Sequence, residues 1–257
     1  MDLYWFEQSL RNVPQRETWL SAREADYSRN LRFPKRRADW LLGRWTAKNA
    51  VAAFLDIPAE PLALSDIEIR SALSGAPEVF LGDEPAPVSI SLSHRAGVGA
   101  CALASSCVLL GCDLETVEFH GDAFAADYFA AEEQALVAKF EAEDRLWLLA
   151  LLWSAKESAL KLLREGLRLD TRHVVVSFLG KEFRTDNQEN FAQRECISIR
   201  TSSQHKCWSP LRVCHANAQI FYGWWSKTGD SLRTVLAAPP ADPPIVLAQR
   251  VRSELLM

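Results

Sequence analysis

The sequence contains Gly111-Cys112-Asp113-Leu114-Glu115 and, further along, Trp153-Ser154-Ala155-Lys156-Glu157-Ser158-Ala159-Leu160-Lys161. The first segment follows an apolar run and is predicted to end a strand, where residues i and i+2 present both carboxylates on one side. The second segment is predicted to be helical, so Trp153, Glu157 and Lys161 share one face. Magnesium is typically held by a few carboxylates together with substrate phosphates. The two segments therefore predict a site for magnesium and a diphosphate.

The composition is that of a folded globular protein. The chain has 257 residues, 48% hydrophobic and 24% charged, with a formal net charge of -4, and its pI is near 5.8. This acidic balance argues against a general nucleic-acid binder, which is usually strongly basic. No secretory signal and no apolar run of membrane-spanning length is evident, so a cytoplasmic protein with no membrane partner is expected. The six cysteines form no Cys-x-x-Cys pair, which favours reduced, buried thiols.

The order of predicted elements indicates an α+β fold in two similar halves. Helix is predicted mainly over residues 17–55 and 124–164, with Gly166 as a helix stop. Strands are predicted over residues 67–70, 79–81, 89–93, 98–104, 107–110, 174–178, 196–199, 211–213 and 220–225. We expect an N-terminal subdomain over residues 1–108, a C-terminal subdomain over 109–228 and a proline-containing surface extension over 229–257. No residue-level repeat between the halves is evident.

An ordered set of motifs resembles the 4'-phosphopantetheinyl transferases, in their larger single-chain form. The match covers about residues 30–180. Its parts, in chain order, are Gly43-Arg44 with Lys48, Gly75-x-Pro77, Ser91-Leu92-Ser93-His94, Gly111 to Glu115, Tyr128-Phe129-x-x-Glu132-Glu133, and Trp153 to Lys161. The resemblance implies two subdomains, each a helix on a small, mainly antiparallel sheet, related by a pseudo-twofold with the active site between them. It also implies magnesium-dependent transfer of the phosphopantetheine arm of coenzyme A to a serine of an apo acyl or peptidyl carrier protein, releasing adenosine 3',5'-bisphosphate.

The resemblance assigns roles to individual residues. Asp113, Glu115 and Glu157 would hold magnesium, and Glu157, Lys161 and His94 would be catalytic. Coenzyme A would be bound by a larger set of polar and basic residues, namely Lys35, Arg36, Arg37, Arg44, Lys48, Ser93, His94, Lys156 and Lys161. Arg44 and Lys48, at i and i+4, can point together into a cleft. Which of Lys35, Arg36 and Arg37 meets the 3'-phosphate stays open, because Asp39 stands where a basic residue is expected.

Several alternatives remain open from the sequence. The proton of the attacking serine could be taken by Glu157, by Glu133 or by a metal-bound water. Two other functions also fit an Asp-Glu-Glu set beside a lysine: a magnesium-dependent nuclease or phosphatase, and a non-catalytic module that binds coenzyme A or a carrier. The residues 124–129 are expected to be mainly core, although exposed aromatics there would mark a docking patch for a carrier. The carrier and its pathway are not fixed by the sequence, and a monomer is expected from the resemblance.

Overall fold

The computed structural model describes residues 1–119, 123–178 and 208–248. These residues form helices packed on small, mainly antiparallel sheets, which confirms the predicted α+β class. The strand predicted over residues 196–199 lies outside the described residues. Within them, no helix is both long enough and apolar enough to cross a membrane.

The N-terminal subdomain consists of three helices and two sheets. Its helices are α1 (Ala22–Asn30), α2 (Pro34–Leu55) and α3 (Pro61–Ser65). Its strands are β1 (Tyr4–Ser9), β2 (Ile67–Ser71), β3 (Pro77–Leu81), β4 (Glu84–Pro85), β5 (Val88–Arg95) and β6 (Val98–Ser105). The first sheet contains β1, β6 and β5 in that order, and the second contains β2, β3 and β4. Pro34 at the first helical position of α2 fits that helix start, because proline has no N–H to leave unpaired there.

The C-terminal subdomain repeats this plan with one continuous sheet. Its helices are α4 (Phe124–Tyr128), α5 (Ala131–Val137) and α6 (Ala142–Leu162). Its strands are β7 (Leu109–Thr116), β8 (Val174–Phe178), β9 (Ser209–His215), β10 (Ile220–Thr228) and β11 (Ser231–Ala238). The sheet order is β7-β11-β10-β9-β8, and every pair is antiparallel. Asp113 and Glu115 therefore lie within β7 and not after its end.

The two subdomains share one topology. Each begins with a strand, continues through helices into one long helix, and returns through further strands. The trio β1-β6-β5 corresponds to β7-β11-β10, and β3-β2 corresponds to β9-β8. Helix α2 packs on β6, β5 and β1, whereas α6 packs on β7 and β11. The predicted architecture of two similar subdomains is confirmed.

A residue-level repeat accompanies this topology, contrary to our expectation. Helix α2 contains Trp45-Thr46-Ala47-Lys48-Asn49, and α6 contains Trp153-Ser154-Ala155-Lys156-Glu157. Both lysines are fully buried, each in an ion pair with a buried glutamate. The similarity is short, and it becomes significant only because both segments occupy the same place in the two subdomains.

Lys48 anchors the N-terminal subdomain internally. Its Nζ lies 2.5 Å from Glu24 Oε2 and donates hydrogen bonds to the carbonyl oxygens of Trp19 and Leu64, both at 3.0 Å. Glu24 in turn caps α1 by accepting from the Ser21 N–H. Burial lowers the pKa of Lys48, and the charge of Glu24 opposes that effect. These contacts engage the Lys48 ammonium within its own subdomain, so they support a structural role and give no support to its predicted role in binding coenzyme A.

Lys156 has the same role in the C-terminal subdomain. Its Nζ lies 2.7 Å from Glu133 Oε2 and donates to the carbonyl oxygens of Thr171 and Val174. Glu133 also accepts hydrogen bonds from the backbone N–H groups of Ala130 and Val176. These contacts likewise support a structural role for Lys156 and give no support to the prediction that it binds the cofactor, because its ammonium is enclosed by its own subdomain.

The interface between the subdomains brings α6, β7 and β5 close together. A Cβ atom on Gly111 would lie 1.8 Å from the Ser158 carbonyl oxygen, so only glycine permits β7 to lie this close to α6. Across the interface, Ser91 Oγ accepts a hydrogen bond from the Cys112 N–H at 2.9 Å. Ser93 Oγ accepts one from the Leu114 N–H at 3.2 Å. Serine side chains of β5 thus hold β7 in place.

The described residues that follow residue 228 take part in both sheets. Residues 229–257 were expected to form a surface extension, yet β11 lies in the middle of the C-terminal sheet, between β7 and β10. Beyond the prolines, β12 (Ile245–Val246) pairs in parallel with β1 of the N-terminal sheet. The stretch Leu232 to Ala237 is buried throughout, although it includes Arg233 and Thr234. The sequence interpretation missed it because a strand buried on both faces lacks alternation.

The cysteines agree in part with the expectation of buried thiols. The four in the described residues are free, and Cys101 and Cys112 are buried. Cys214 is half-buried and Cys107 is exposed. The other two, Cys196 and Cys207, lie outside the described residues.

Candidate active site

A cleft lies between the two subdomains. Its volume is about 540 Å³, which is within the range of about 300–1,000 Å³ typical of small-molecule sites. The N-terminal subdomain contributes Gly75-Ala76-Pro77, Arg44 and the serines of β5, Ser89 and Ser91. The C-terminal subdomain contributes Leu110 from β7 and the end of α6 with Lys161. Segments that are distant in the sequence thus face one cavity, whereas Asp113, Glu115 and Glu157 are not among the residues that line it.

Asp113, Lys161 and Ser93 form the polar centre of this interface. Lys161 Nζ donates to Asp113 Oδ1 at 2.7 Å and to the Cys112 carbonyl oxygen at 2.9 Å. Ser93 Oγ donates to the same Oδ1 at 2.8 Å. Burial alone would lower the pKa of Lys161, but the combined effects of Asp113, its hydrogen bond and the other neighbouring groups outweigh burial and raise that pKa. Lys161 therefore stays a cation that reaches both Asp113 and the cleft.

Glu115 follows Asp113 on the same side of β7 and is held by an arginine. Arg95 Nε lies 3.2 Å from Glu115 Oε2. Burial and the repulsion of the Asp113 charge raise the pKa of Glu115 to about 7, against the opposing effect of Arg95. This carboxyl group thus titrates close to neutral pH.

Glu157 extends from α6 one turn before Lys161. Burial raises the pKa of its carboxyl group, the positive charge of Lys161 lowers it, and the Asp113 charge raises it. The Asp113 charge therefore acts on both of the other carboxyl groups, those of Glu115 and Glu157.

These three carboxylates are not gathered around a common point as they lie. The described part of the chain contains no group of three or more His, Cys, Asp or Glu side chains arranged to hold a metal ion. The reason is visible in the contacts, because Asp113 is paired with Lys161 and Glu115 with Arg95. The expectation of three acidic side chains already converged on one cation is not met in this arrangement.

Arg44 lines the cleft, whereas His94 is not among the residues that line it. The Arg44 guanidinium stacks 4.9 Å from the Trp40 ring centroid, and its Nε is buried without a hydrogen-bond partner. Burial lowers the pKa of Arg44, and Glu24, 3.7 Å away, opposes this. His94 is exposed near the end of β5, next to Ser93. Arg44 is thus the cation of the basic segment that faces the cavity.

The other basic candidates point elsewhere. Lys35 and Arg36 are exposed on the first turn of α2, and neither is among the residues that line the cleft. Arg37 pairs with Glu17 and donates to the Ser28 carbonyl oxygen. The structure therefore places Arg37 in a contact within its own subdomain, whereas Lys35 and Arg36 remain available to a large ligand at the surface.

Glu133 cannot reach the cleft. It is 1% exposed and is bound by Lys156 and two backbone N–H groups. The alternative that Glu133 takes the serine proton is therefore wrong. Among the candidate bases in the described residues, Glu157 is the partly exposed carboxyl group beside Lys161.

Two arginines of this region were not identified from the sequence. Arg164 lines the cleft beyond Lys161, and Arg95 bridges β5 and β7 through Glu115. Arg95 directly follows the motif residue His94, which was the available signal. Its partner could not be inferred, because β5 and β7 are brought together only by packing of the subdomains.

An aromatic cluster covers the start of the C-terminal helices. Phe124, Tyr128 and Trp153 pack edge to face or tilted, with centroids 5.0–5.4 Å apart. Phe129 is fully buried, whereas Tyr128 is 39% exposed. The expectation of mainly core packing holds for Phe129, and Tyr128 leaves part of its ring at the surface.

Comparisons with known proteins agree with this geometry. Residues 109–225 match the family model of the 4'-phosphopantetheinyl transferase superfamily. A stretch of 91 residues is 41% identical to the fatty acid synthase subunit alpha of Schizosaccharomyces pombe and covers 30% of this chain. The matched chain spans only 5% of that much longer relative. The matched residues 109–225 contain Asp113, Glu115, Glu157 and Lys161, so this part of the chain is similar to the 4'-phosphopantetheinyl transferase superfamily.

Proposed function

We propose that this protein transfers the 4'-phosphopantetheine arm of coenzyme A to a serine of an apo acyl or peptidyl carrier protein, releasing adenosine 3',5'-bisphosphate in a magnesium-dependent reaction. The observation that carries the proposal is the cleft between the subdomains, where Lys161, paired with Asp113, lies within the segment matched by the superfamily model. The serine oxygen forms a bond to one phosphorus of the diphosphate, and the bond from that phosphorus to the bridging oxygen breaks.

The residues fit a divalent cation by one specific observation. Asp113 Oδ2 is buried and has no hydrogen-bond partner, although an unpaired buried carboxylate oxygen is costly. The raised pKa values of Glu115 and Glu157 likewise indicate carboxyl groups whose charge is incompletely compensated. Asp113, Glu115 and Glu157 are the residues that would hold magnesium, which when bound supplies positive charge to the diphosphate.

Basic side chains along the cleft account for binding of the phosphates. Lys161 lies at the wall formed by the C-terminal subdomain, with Arg164 near it, and Arg44 lies at the wall formed by the N-terminal subdomain. We assign Lys161 to the diphosphate, Arg44 to the 3'-phosphate and the exposed His94 to the nucleotide phosphates. Because phosphoryl transfer requires mainly positioning and charge neutralisation, these fixed cations supply what the chemistry needs.

Glu157 is proposed as the general base. Burial raises the pKa of its carboxyl group, which makes it a stronger base than an exposed glutamate. Its ionised oxygen would accept the proton of the attacking serine hydroxyl. The positive charge of Lys161, one turn away, opposes this rise in the pKa.

The partner class follows from the same proposal. The relative from Schizosaccharomyces pombe is named as a fatty acid synthase subunit, which makes an acyl carrier protein the first carrier to test. Polyketide and peptidyl carriers stay open. We expect the protein to be cytoplasmic. We also expect a monomer, because both walls of the cleft come from one chain.

The test is the mass of a carrier protein. Apo acyl carrier protein is incubated with coenzyme A, magnesium and the enzyme, and its intact mass should increase by one phosphopantetheine arm. The variants Asp113→Asn and Glu157→Gln should lose about 10²-fold or more in kcat, the size of effect seen when one electrostatic group of a site is removed. Glu132→Gln is the matched control, since Glu132 is exposed on the nearby α5 and should transfer normally.

Each other outcome identifies a different function. A carrier of unchanged mass together with hydrolysed nucleic acid would support the magnesium-dependent nuclease or phosphatase. Binding of coenzyme A without any reaction would support the non-catalytic module. Normal transfer by Asp113→Asn would remove the proposed metal site while leaving the transferase itself in place.

A further inference from the structure

Arg95 occupies an unusual position beside a proposed metal ligand. Its guanidinium reaches from the end of β5 to Glu115 on β7, with Nε 3.2 Å from Glu115 Oε2. The same Nε donates to Thr116 Oγ1 at 3.2 Å, and Nη2 lies 2.7 Å from Glu118 Oε2. One arginine thus joins the two subdomains through three residues at the end of β7.

The contacts fix how Glu115 is engaged. Its Oε2 faces Arg95, and the same oxygen also accepts a long hydrogen bond from the Thr116 N–H at 3.4 Å. A divalent cation and a guanidinium both bind carboxylate oxygens by charge, so both compete for this atom. Lys161 cannot substitute for Arg95, because it is engaged with Asp113.

We propose that Arg95 is an internal counter-ion that holds Glu115 until a divalent cation displaces it, and that it thereby weakens the affinity of the site for the metal. This inference rests on the proposed function, because it assumes that Glu115 is a metal ligand. Arg95 is a positioning residue here, acting through Glu115 and not on the reacting groups. The arrangement would favour metal that arrives together with a diphosphate over metal alone, since the diphosphate supplies additional oxygen ligands.

The experiment measures binding of Mn²⁺ in the absence of coenzyme A. Free Mn²⁺ is titrated by electron paramagnetic resonance against wild-type protein, Arg95→Gln and Arg95→Lys at one fixed pH and ionic strength. The side chain of Arg95 is 36% exposed, and pairs of this kind are weak, so Arg95→Gln should lower the Kd by up to about fivefold. Arg95→Lys keeps the charge and should stay close to the wild-type Kd.

A matched variant separates this contact from a general change in charge. Arg164→Gln removes the same charge from the cleft, and the Kd of this variant should change less than that of Arg95→Gln. An unchanged or higher Kd in Arg95→Gln would overturn the inference. Thermal unfolding of each variant shows that the fold is intact.

The failure of the proposed metal site has a different signature. Glu115→Gln should lose Mn²⁺ binding if Glu115 is a ligand. If the Glu115→Gln variant binds Mn²⁺ with the same Kd as the wild-type protein, both the metal assignment and the role of Arg95 are overturned. Loss of binding in Glu115→Gln with no change in Arg95→Gln would leave the metal site standing and reject the counter-ion role alone.

Discussion

Replacement of Lys48 by methionine tests whether this lysine is structural. Lys48 is fully buried with Glu24, which is 4% exposed, and its ammonium also satisfies two backbone carbonyl oxygens. Methionine has a similar length but no charge, so Glu24 would be left as a buried carboxylate without its partner. Removing one partner of a buried pair costs about 3–5 kcal/mol of the free energy of unfolding. For a chain of this size, that loss corresponds to a decrease in Tm of about 6–20 °C.

The assay is urea unfolding followed by tryptophan fluorescence, together with the KM for coenzyme A of the folded variant. The double variant Lys48→Met/Glu24→Gln should recover at least about 1 kcal/mol relative to the single variant, because the uncompensated charge is gone. Arg36→Met is the control, since an exposed side chain should change stability by no more than about 0.5 kcal/mol. A stability loss below about 1 kcal/mol in Lys48→Met, together with a KM raised tenfold or more, would refute the structural role and restore the sequence prediction.

Two further predictions concern the interface and its protonation. Gly111→Ala places a Cβ atom 1.8 Å from the Ser158 carbonyl oxygen, so α6 must move from β7; we expect a loss of about 1–3 kcal/mol in urea unfolding and a fall in transfer rate. Gly43→Ala, where a Cβ meets nothing within 4 Å, should instead gain about 0.5–1 kcal/mol as a helix-interior substitution, and equal stability of the two variants would contradict the close approach. The second prediction is that the Kd for Mn²⁺ rises as the pH falls below the Glu115 pKa of about 7, because the protonated carboxyl group is not a ligand. At pH 6 about nine-tenths of this group is protonated, so the Kd values from Mn²⁺ titrations at pH 6 and pH 8 should differ by about tenfold. A Kd that does not change with pH would contradict the assignment of Glu115 as a ligand.

The sign of this pH effect follows from the direction of the shift. The folded-state pKa of Glu115 is raised above its ordinary value of 4.5, so without a bound metal the folded protein binds this proton more tightly than the unfolded chain does. Stability supplied by that proton is present at low pH and is lost as the pH rises towards 7. A bound metal ion offsets this loss of stability at high pH, because the ionised Glu115 carboxylate then has a cation beside it.

The local patterns of the sequence predicted many elements correctly. Alternation located β2 and β5, and apolar periodicity located α2 and α6, because both signals depend on which side of an element faces the core. The ordered motifs also identified the carboxylates of β7 and Lys161 as neighbours. Strands β1 and β11 were missed, since β11 is buried on both faces and β1 is a single strand at the chain start without a turn signal.

Only the tertiary structure shows which of the lysines are buried in ion pairs, Lys48 and Lys156, and that Lys161 lines the cleft. The sequence by itself determined that Lys48, Lys156 and Lys161 lie on long helices, and that Glu157 and Lys161 share a face. It could not determine which face turns into its own subdomain, so Lys48 and Lys156 were expected to meet coenzyme A, whereas each is buried against a glutamate from a distant segment. Burial depends on the packing of α2 and α6 against sheets, and those contacts join residues far apart in the chain. For the same reason only the fold could place Arg95 beside Glu115, because their meeting requires the two subdomains to close on each other.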